Sequence, residues 1–283
     1  MSGMLIITSP ADMQDWSRRQ RAAGRVIGLV PTMGYLHEGH LSLVRLARSR
    51  ADAVVVSLFV NPTQFGPKED FSRYPRDLER DRALCEREGV EVLFMPGAAY
   101  MYPAGYSVFI NEERLSTGLC GASRPGHFRG VCTVVAKLFN LVLPDLAVFG
   151  EKDAQQLRVI RRMVRDLNFP VTIVPGPIMR EADGVAMSSR NVLLKPDERR
   201  QAVQLSRALA RAAEAFAAGE RSAARIKDLV RAELSAAPLG RIDYVELVDD
   251  ESLEPIDLLE RPAVLALAVY FSATRLIDNT VLR

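Results

Sequence analysis

Pro31-Thr32-Met33-Gly34-Tyr35-Leu36-His37-Glu38-Gly39-His40 stands between an apolar run at 26–30 and an amphipathic run that begins at Leu41. The order reads as strand, glycine-containing turn, helix. Two histidines three residues apart share one face of the helix's first turn. A helix N-terminus already favours negative charge there. Gly34 and Gly39 let a ligand approach the backbone closely. Polyphosphate suits this arrangement, with imidazoles beside it as donors. A plain strand–helix corner carrying two surface histidines is the alternative, and the rest of the chain bears on the choice.

The chain has 283 residues, 48% hydrophobic and 25% charged. That is room for one large or two ordinary domains with a sizeable core, in the composition of a soluble globular protein. A formal net charge of +2 provides no global basic field to recruit nucleic acid or an anionic membrane. Cys85, Cys120 and Cys132 are three in number and widely spaced. They form no metal spacing and no disulfide framework, so a reducing, cytoplasmic setting is expected. The first sixteen residues lack a basic n-region and do not read as a signal peptide. The apolar run at 263–270 is too short to span a bilayer.

Strand-like segments at 4–7, 26–30, 53–60, 90–95, 146–149 and 171–174 alternate with helical patterns at 11–23, 40–50, 76–88, 130–143 and 154–167. The alternation predicts an α/β fold with right-handed crossovers and a mainly parallel sheet. After Pro175-Gly176-Pro177 the texture changes. A polar stretch at 180–191 precedes helices near 196–218 and 222–236, then strands at 242–248, 263–271 and 276–282. A smaller α+β domain over 177–283, following a first domain over 1–176, is the expectation.

In an open parallel sheet, ligands sit at the carboxyl ends of the strands. Those ends deliver the 33–40 stretch, Asn61-Pro62-Thr63-Gln64-Phe65, Gly150-Glu151-Lys152-Asp153 with Gln155-Gln156, and Met179 leading to Met187-Ser188-Ser189-Arg190. Lys152 can reach a phosphate as a point charge, or pair with Glu151 or Asp153 at the surface. Gln64 and Gln156 are uncharged donor–acceptors suited to a hydroxyl or carboxylate. Two hydroxyls and the Arg190 guanidinium can grip a triphosphate as pyrophosphate leaves, although serine also caps helices. Asp81 can hold Mg²⁺ through nucleotide phosphates, or lie on a helix surface. His127, in Arg124-Pro125-Gly126-His127-Phe128-Arg129-Gly130, reads as a loop residue just before a helix, with its role open. Arg158, Arg161, Arg162 and Arg165 read as a solvated helix face.

With these residues assembled, the chain resembles the pantoate–β-alanine ligases of the HxGH nucleotidyltransferase superfamily. The likeness rests on PTMGYLHEGH, FVNPTQF, ASRPGHFRG, FGEKDAQQL and EADGVAMSSRN, in that order and spacing. HEGH resembles the HxGH signature, and MSSR the mobile loop of class I aminoacyl-tRNA synthetases. Tyr35 occupies a position that varies in the family. The resemblance implies a Rossmann-like first domain, a smaller C-terminal lid with its hinge at 180–191, and a homodimer. It implies ATP-dependent condensation of pantoate with β-alanine through pantoyl adenylate, releasing pyrophosphate and AMP, with Mg²⁺ as the metal. By position, Met33, Gly34, Tyr35, Leu36, His37, Glu38, Gly39 and His40 would contact ATP. So would Gly150, Glu151, Lys152, Asp153, Met179, Met187, Ser188, Ser189 and Arg190. His37, His40, Lys152 and Arg190 would be catalytic, the last two mainly in adenylation. Gln64, Gln156 and Arg124 would bind pantoate, and Gln64 also β-alanine.

Two other readings compete. A nucleotidyltransferase of the same superfamily would transfer a nucleotide and stop; the glutamine pair suits a small hydroxy acid better than a phosphorylated acceptor. A regulatory module would bind ATP without turnover. A tRNA synthetase is disfavoured, with no anticodon-binding domain and no basic balance.

Overall fold

The computed structural model describes residues 3–67 and 69–283. The chain divides into two compact units. Unit 1 comprises Met1–Glu112, Arg124–Glu151 and Val159–Pro177; unit 2 comprises Glu113–Ser123, Lys152–Arg158 and Ile178–Arg283. Two short stretches of the expected first domain thus pack with the second.

Unit 1 is built on a six-stranded sheet: β1 Leu5–Ile7, β2 Ile27–Thr32, β3 Ala53–Leu58, β4 Val92–Phe94, β5 Leu146–Gly150 and β6 Thr172–Gly176. The strand order is β1-β4-β3-β2-β5-β6, with every pairing parallel. β2 and β3 are almost wholly buried, which is why they read as continuous apolar runs rather than alternating ones. From β2 the chain steps outward to β3 and β4, then returns to β5 on the other side of β2. That reversal makes the carboxyl ends of β2 and β5 a topological switch point. The helix Glu38–Arg48 buries Leu41, Val44 and Ala47, as its spacing predicts, and Leu43 as well. Val30, Val56, Leu93, Val148 and Val174 complete that core.

Unit 2 carries an antiparallel sheet, β7 Gly240–Asp249, β8 Ala263–Phe271 and β9 Thr274–Leu282, in that order. The helices Val203–Ala217 and Ala223–Leu234 bury Leu205, Leu209, Ile226 and Val230 in a core with Leu247, Leu265 and Phe271. The α/β class with a smaller α+β second part matches the expectation.

Two details differ from it. The helix expected from Gly130 starts at His127, because Gly126 adopts a left-handed φ of 82° and turns the chain one turn earlier. Arg158 is not solvated: its side chain is 11% exposed and donates to the Asp250 carboxylate and, at 2.7 Å, to the Asp250 carbonyl. Periodicity placed it on a polar face, and a distant partner covers it. Among the described residues no helix is long and apolar enough to cross a membrane.

Candidate active site

The turn after β2 is held from a distance. Gly34 and Tyr35 both take positive φ, 86° and 49°. Only glycine does so without strain, so the conformation needs external support. Asp81, on the helix Leu78–Arg87, supplies it. Its Oδ2 accepts the Tyr35 N–H and its Oδ1 the Leu36 N–H, each at 2.7 Å. Thr32 Oγ1 accepts the Gly34 N–H at 3.3 Å and donates to the Ser57 carbonyl at 2.8 Å. Asp81 is 2% exposed. Burial pushes its carboxyl above the usual range, while the two backbone N–H groups pull it down. The reading of Asp81 as a helix-surface aspartate is therefore corrected: it is buried, and each oxygen accepts a backbone N–H of the turn.

His37 caps the helix in extended conformation, and His40 is its third residue. His40 Nδ1 accepts the His37 N–H at 3.3 Å, and the ring centroids lie 4.0 Å apart. Accepting at Nδ1 places the proton of a neutral His40 ring on Nε2. The Glu38 carboxylate pairs with Arg45 on its own helix.

Gln64 is fixed at both its backbone and its side chain. Asn61 Nδ2 donates to Gln64 Oε1 at 3.0 Å and to the Gly130 carbonyl at 3.1 Å. Asn61 Oδ1 accepts from Tyr102 Oη at 2.8 Å and Thr63 Oγ1 at 2.9 Å, which sets the amide's orientation. Gln64 Oε1 therefore faces Asn61, and Nε2 lies 3.2 Å from Met33 Sδ. A Cβ on Gly130 would sit 2.4 Å from the Thr63 carbonyl oxygen, so only glycine lets this helix approach so closely.

The Gln64 carbonyl is held as well. His127 Nδ1 lies 2.9 Å from it, and Arg124 Nη2 donates to it at 3.3 Å. A carbonyl only accepts, so His127 Nδ1 carries the proton. Its Nε2 accepts from Arg124 Nη1 at 3.1 Å. Arg124 also makes a two-pronged pair with Glu69, at 2.7 and 2.8 Å. Burial raises the Glu69 carboxyl, but the Arg124 guanidinium, the Gly66 backbone and His127 together hold the group below its ordinary value. Arg124, expected to meet pantoate, is hydrogen-bonded to Glu69, His127 and the Gln64 carbonyl.

In unit 2 the paired glutamines separate. Gln155 is buried, accepting from the Cys120 N–H and donating to the Leu115 and Gly118 carbonyls. Gln156 is half-buried and makes no side-chain hydrogen bond among the described residues. The 180–191 stretch, read as mobile, is a tight hairpin: Arg180 bridges Ala186, and Met187 N–H donates to the Met179 carbonyl at 2.9 Å. Arg199 ties it down through Glu181 at 2.6 Å and Asp183 at 2.7 Å. Ser188 caps a short 3₁₀ turn, with Oγ 3.3 Å from the Arg190 nitrogen. Lys152 and Ser188 line one cavity with Asp278, Ile277, Val185 and Ala186.

Sequence reasoning passed over Asn61, Tyr102, Asp278 and Asn279. Asn61 lies inside the FVNPTQF segment at the ligand edge of the sheet, but nothing in the sequence marks it as the residue that orients Gln64. Among the described residues no cluster of three or more His, Cys, Asp or Glu side chains is placed to hold a metal ion.

The chain matches the family model for pantoate-beta-alanine ligase over residues 5–281. It is 60% identical over 278 residues to a pantothenate synthetase of Heliobacterium modesticaldum, covering 98% of this chain and 99% of the relative. Against the Geobacter sulfurreducens pantothenate synthetase it is 58% identical over 279 residues, 99% of each chain. The crystal structure of pantothenate synthetase from Thermus thermophilus superposes with a TM-score of 0.93 at 48% identity, covering 98% of this chain and 99% of that one. A pantoate-beta-alanine ligase from Francisella tularensis, solved with beta-gamma ATP and beta-alanine, gives 0.81 at 32% identity, covering 98% and 97%. This chain belongs to the pantoate-beta-alanine ligase family.

Proposed function

We propose that the protein joins pantoate to β-alanine using ATP, through a pantoyl adenylate. The pantoate carboxylate attacks the α-phosphorus and pyrophosphate leaves. The β-alanine amine then attacks the acyl carbon, loses a proton, and AMP leaves as pantothenate forms. One observation carries this reading: the Gln64 amide, with Nε2 as its donor end, lies against Met33 of the histidine turn. A carboxylate donor site beside a phosphate-binding turn is what attack on the α-phosphorus requires. The ATP and β-alanine in the Francisella relative support the same substrates here.

In unit 1, Met33 through His40, Gly150 and Glu151 contact ATP, with His37 and His40 donating to charge that builds on the phosphates. Glu38 contributes through its backbone, since its side chain pairs with Arg45. Gln64 donates to pantoate and later faces β-alanine. Arg124 acts through Gln64, holding its carbonyl together with His127. In unit 2, Lys152, Asp153, Met179 and Met187 through Arg190 contact ATP, and Gln156 contacts pantoate. Lys152 and Arg190 serve mainly adenylation. Magnesium arrives as part of the nucleotide substrate, held by the phosphates. The region 177–283 serves as the lid that keeps water from the acyl adenylate. The protein works as a cytosolic homodimer; its three cysteines are unpaired thiols.

The test is AMP formation from ATP, Mg²⁺, pantoate and β-alanine, with each omitted in turn. AMP that requires both acids supports the proposal. Nucleotide transfer with no need for β-alanine would move the reading to a nucleotidyltransferase, and ATP binding without turnover to a regulatory module.

A further inference from the structure

Asp278 and Asn279 are neighbours on β9, 2% and 5% exposed. Both are polar, and both reach far along the sequence. The Asp278 carboxylate pairs with the Arg180 guanidinium through both oxygens, at 2.7 and 3.0 Å. Arg180 also donates to the Gly184 carbonyl at 3.0 Å, across the turn of its own hairpin. Asn279 Nδ2 donates to the Lys152 carbonyl at 2.9 Å, and Asn279 N–H donates to Asp278 Oδ1 at 2.8 Å. Thus one dipeptide fastens two segments, 127 and 98 positions away. One carries Lys152. The other leads into Met187–Arg190. Lys152, Ser188 and Asp278 line the same cavity.

Burying a carboxylate and an amide costs free energy that apolar residues on a strand avoid. What the polar pair supplies is position: a side chain reaches only as accurately as the backbone that launches it is held. We propose that Asp278 and Asn279 are positioning residues for adenylation, Asn279 setting the Lys152 backbone and Asp278 the base of the hairpin. This rests on the assignment of Lys152 and Met187–Arg190 to the phosphates.

The test is a double-mutant cycle read by single-turnover pyrophosphate release from ATP and pantoate without β-alanine. Asn279→Ala should slow release about five- to tenfold, the worth of one well-placed hydrogen bond. Asp278→Asn should slow it by a similar factor, while the reaction of added pantoyl adenylate with β-alanine keeps its rate. In a Lys152→Ala background, Asn279→Ala should have no further effect, because the residue it acts through is gone. Equal slowing in both backgrounds, or of both half-reactions, would make the pair merely structural and overturn the proposal. So would normal release by Asn279→Ala beside a slow Lys152→Ala. Lys152→Ala at the unaltered rate would remove instead the Lys152 assignment beneath it, a distinguishable failure. If Asn279→Ala lowers the melting temperature, Asn279→Ser reads the same cycle.

Discussion

Asp81 Oδ2 accepts the backbone N–H of Tyr35 at 2.7 Å across 46 positions of sequence. The neighbouring oxygen takes Leu36 at the same distance. Two consecutive left-handed residues are thereby fixed just ahead of the histidine helix. Asp81→Asn keeps the shape but turns an N–H donor against a backbone donor. The variant should lose about 1–3 kcal/mol of stability, the cost of an unsatisfied buried group. Its KM for ATP should rise while its magnesium dependence stays unchanged. Urea denaturation and a magnesium titration of pyrophosphate release check this. A changed magnesium requirement with ATP affinity intact would return Asp81 to the metal.

Gly130→Ala places a Cβ 2.4 Å from the Thr63 carbonyl oxygen and 2.7 Å from the Gln64 Cα. The neighbour is backbone and cannot swing aside. Overpacking of this kind costs about 1–3 kcal/mol. Because the displaced 3₁₀ turn Pro62–Gln64, capped by Asn61, carries Gln64, kcat/KM for pantoate should fall further than stability alone explains. Steady-state kinetics well below the melting temperature separate the two effects.

Much of unit 1 was legible before the structure. Apolar runs without alternation marked β2 and β3, and the turn chemistry of 31–40 marked the strand–helix corner. Local patterns ended there. Nothing adjacent to Asp81 in sequence signals that Tyr35 and Leu36 are its partners. Arg124 stands beside neither Glu69 nor Gln64 in sequence, and both meet it only in the fold. The 180–191 stretch looked mobile from Gly184 and from the likeness of MSSR to a mobile loop; its ion pairs to Arg199 and Asp278 come from residues 16 to 98 positions away. Arg158 sits on a helix face whose periodicity is polar, and Asp250 comes from 92 positions away to cover it. In each case the missing information was a long-range polar partner, which hydrophobic period does not encode.

Gln64→Glu should separate the donor role of this side chain from its bulk. The replacement turns the donor end facing Met33 into a carboxylate oxygen, set against an anionic substrate. At least about a tenfold rise in KM for pantoate is expected, each factor of ten corresponding to about 1.4 kcal/mol. KM for ATP should change little. A variant with unaltered pantoate affinity would show that Gln64 does not meet the acid.

Glu69 gives a pH signature. Its folded carboxyl lies below the ordinary value, against the effect of burial, because Arg124, the Gly66 backbone and His127 together hold the charged form. A depressed folded value means stability that is present above the unfolded pKa, about 4.3, and lost as pH falls through the folded one. Glu69→Gln should therefore melt below the parent protein at pH 7. The gap should close as pH falls from the unfolded value through the lower folded one, where the parent's Glu69 takes up its proton. Thermal melts of both proteins across pH 3–7 test this, and a constant gap would contradict it.

The acyl adenylate is the centre of the account, and an isotope reads it directly. Pantoate labelled with ¹⁸O in its carboxylate is turned over with ATP and β-alanine, and the products are weighed by mass spectrometry. Attack of the carboxylate on the α-phosphorus leaves one pantoate oxygen on phosphorus when the amine displaces AMP. The account predicts one ¹⁸O in each AMP and none in pyrophosphate. Unlabelled AMP, with the label in pyrophosphate or phosphate, would mean activation at another phosphorus and would contradict the mechanism.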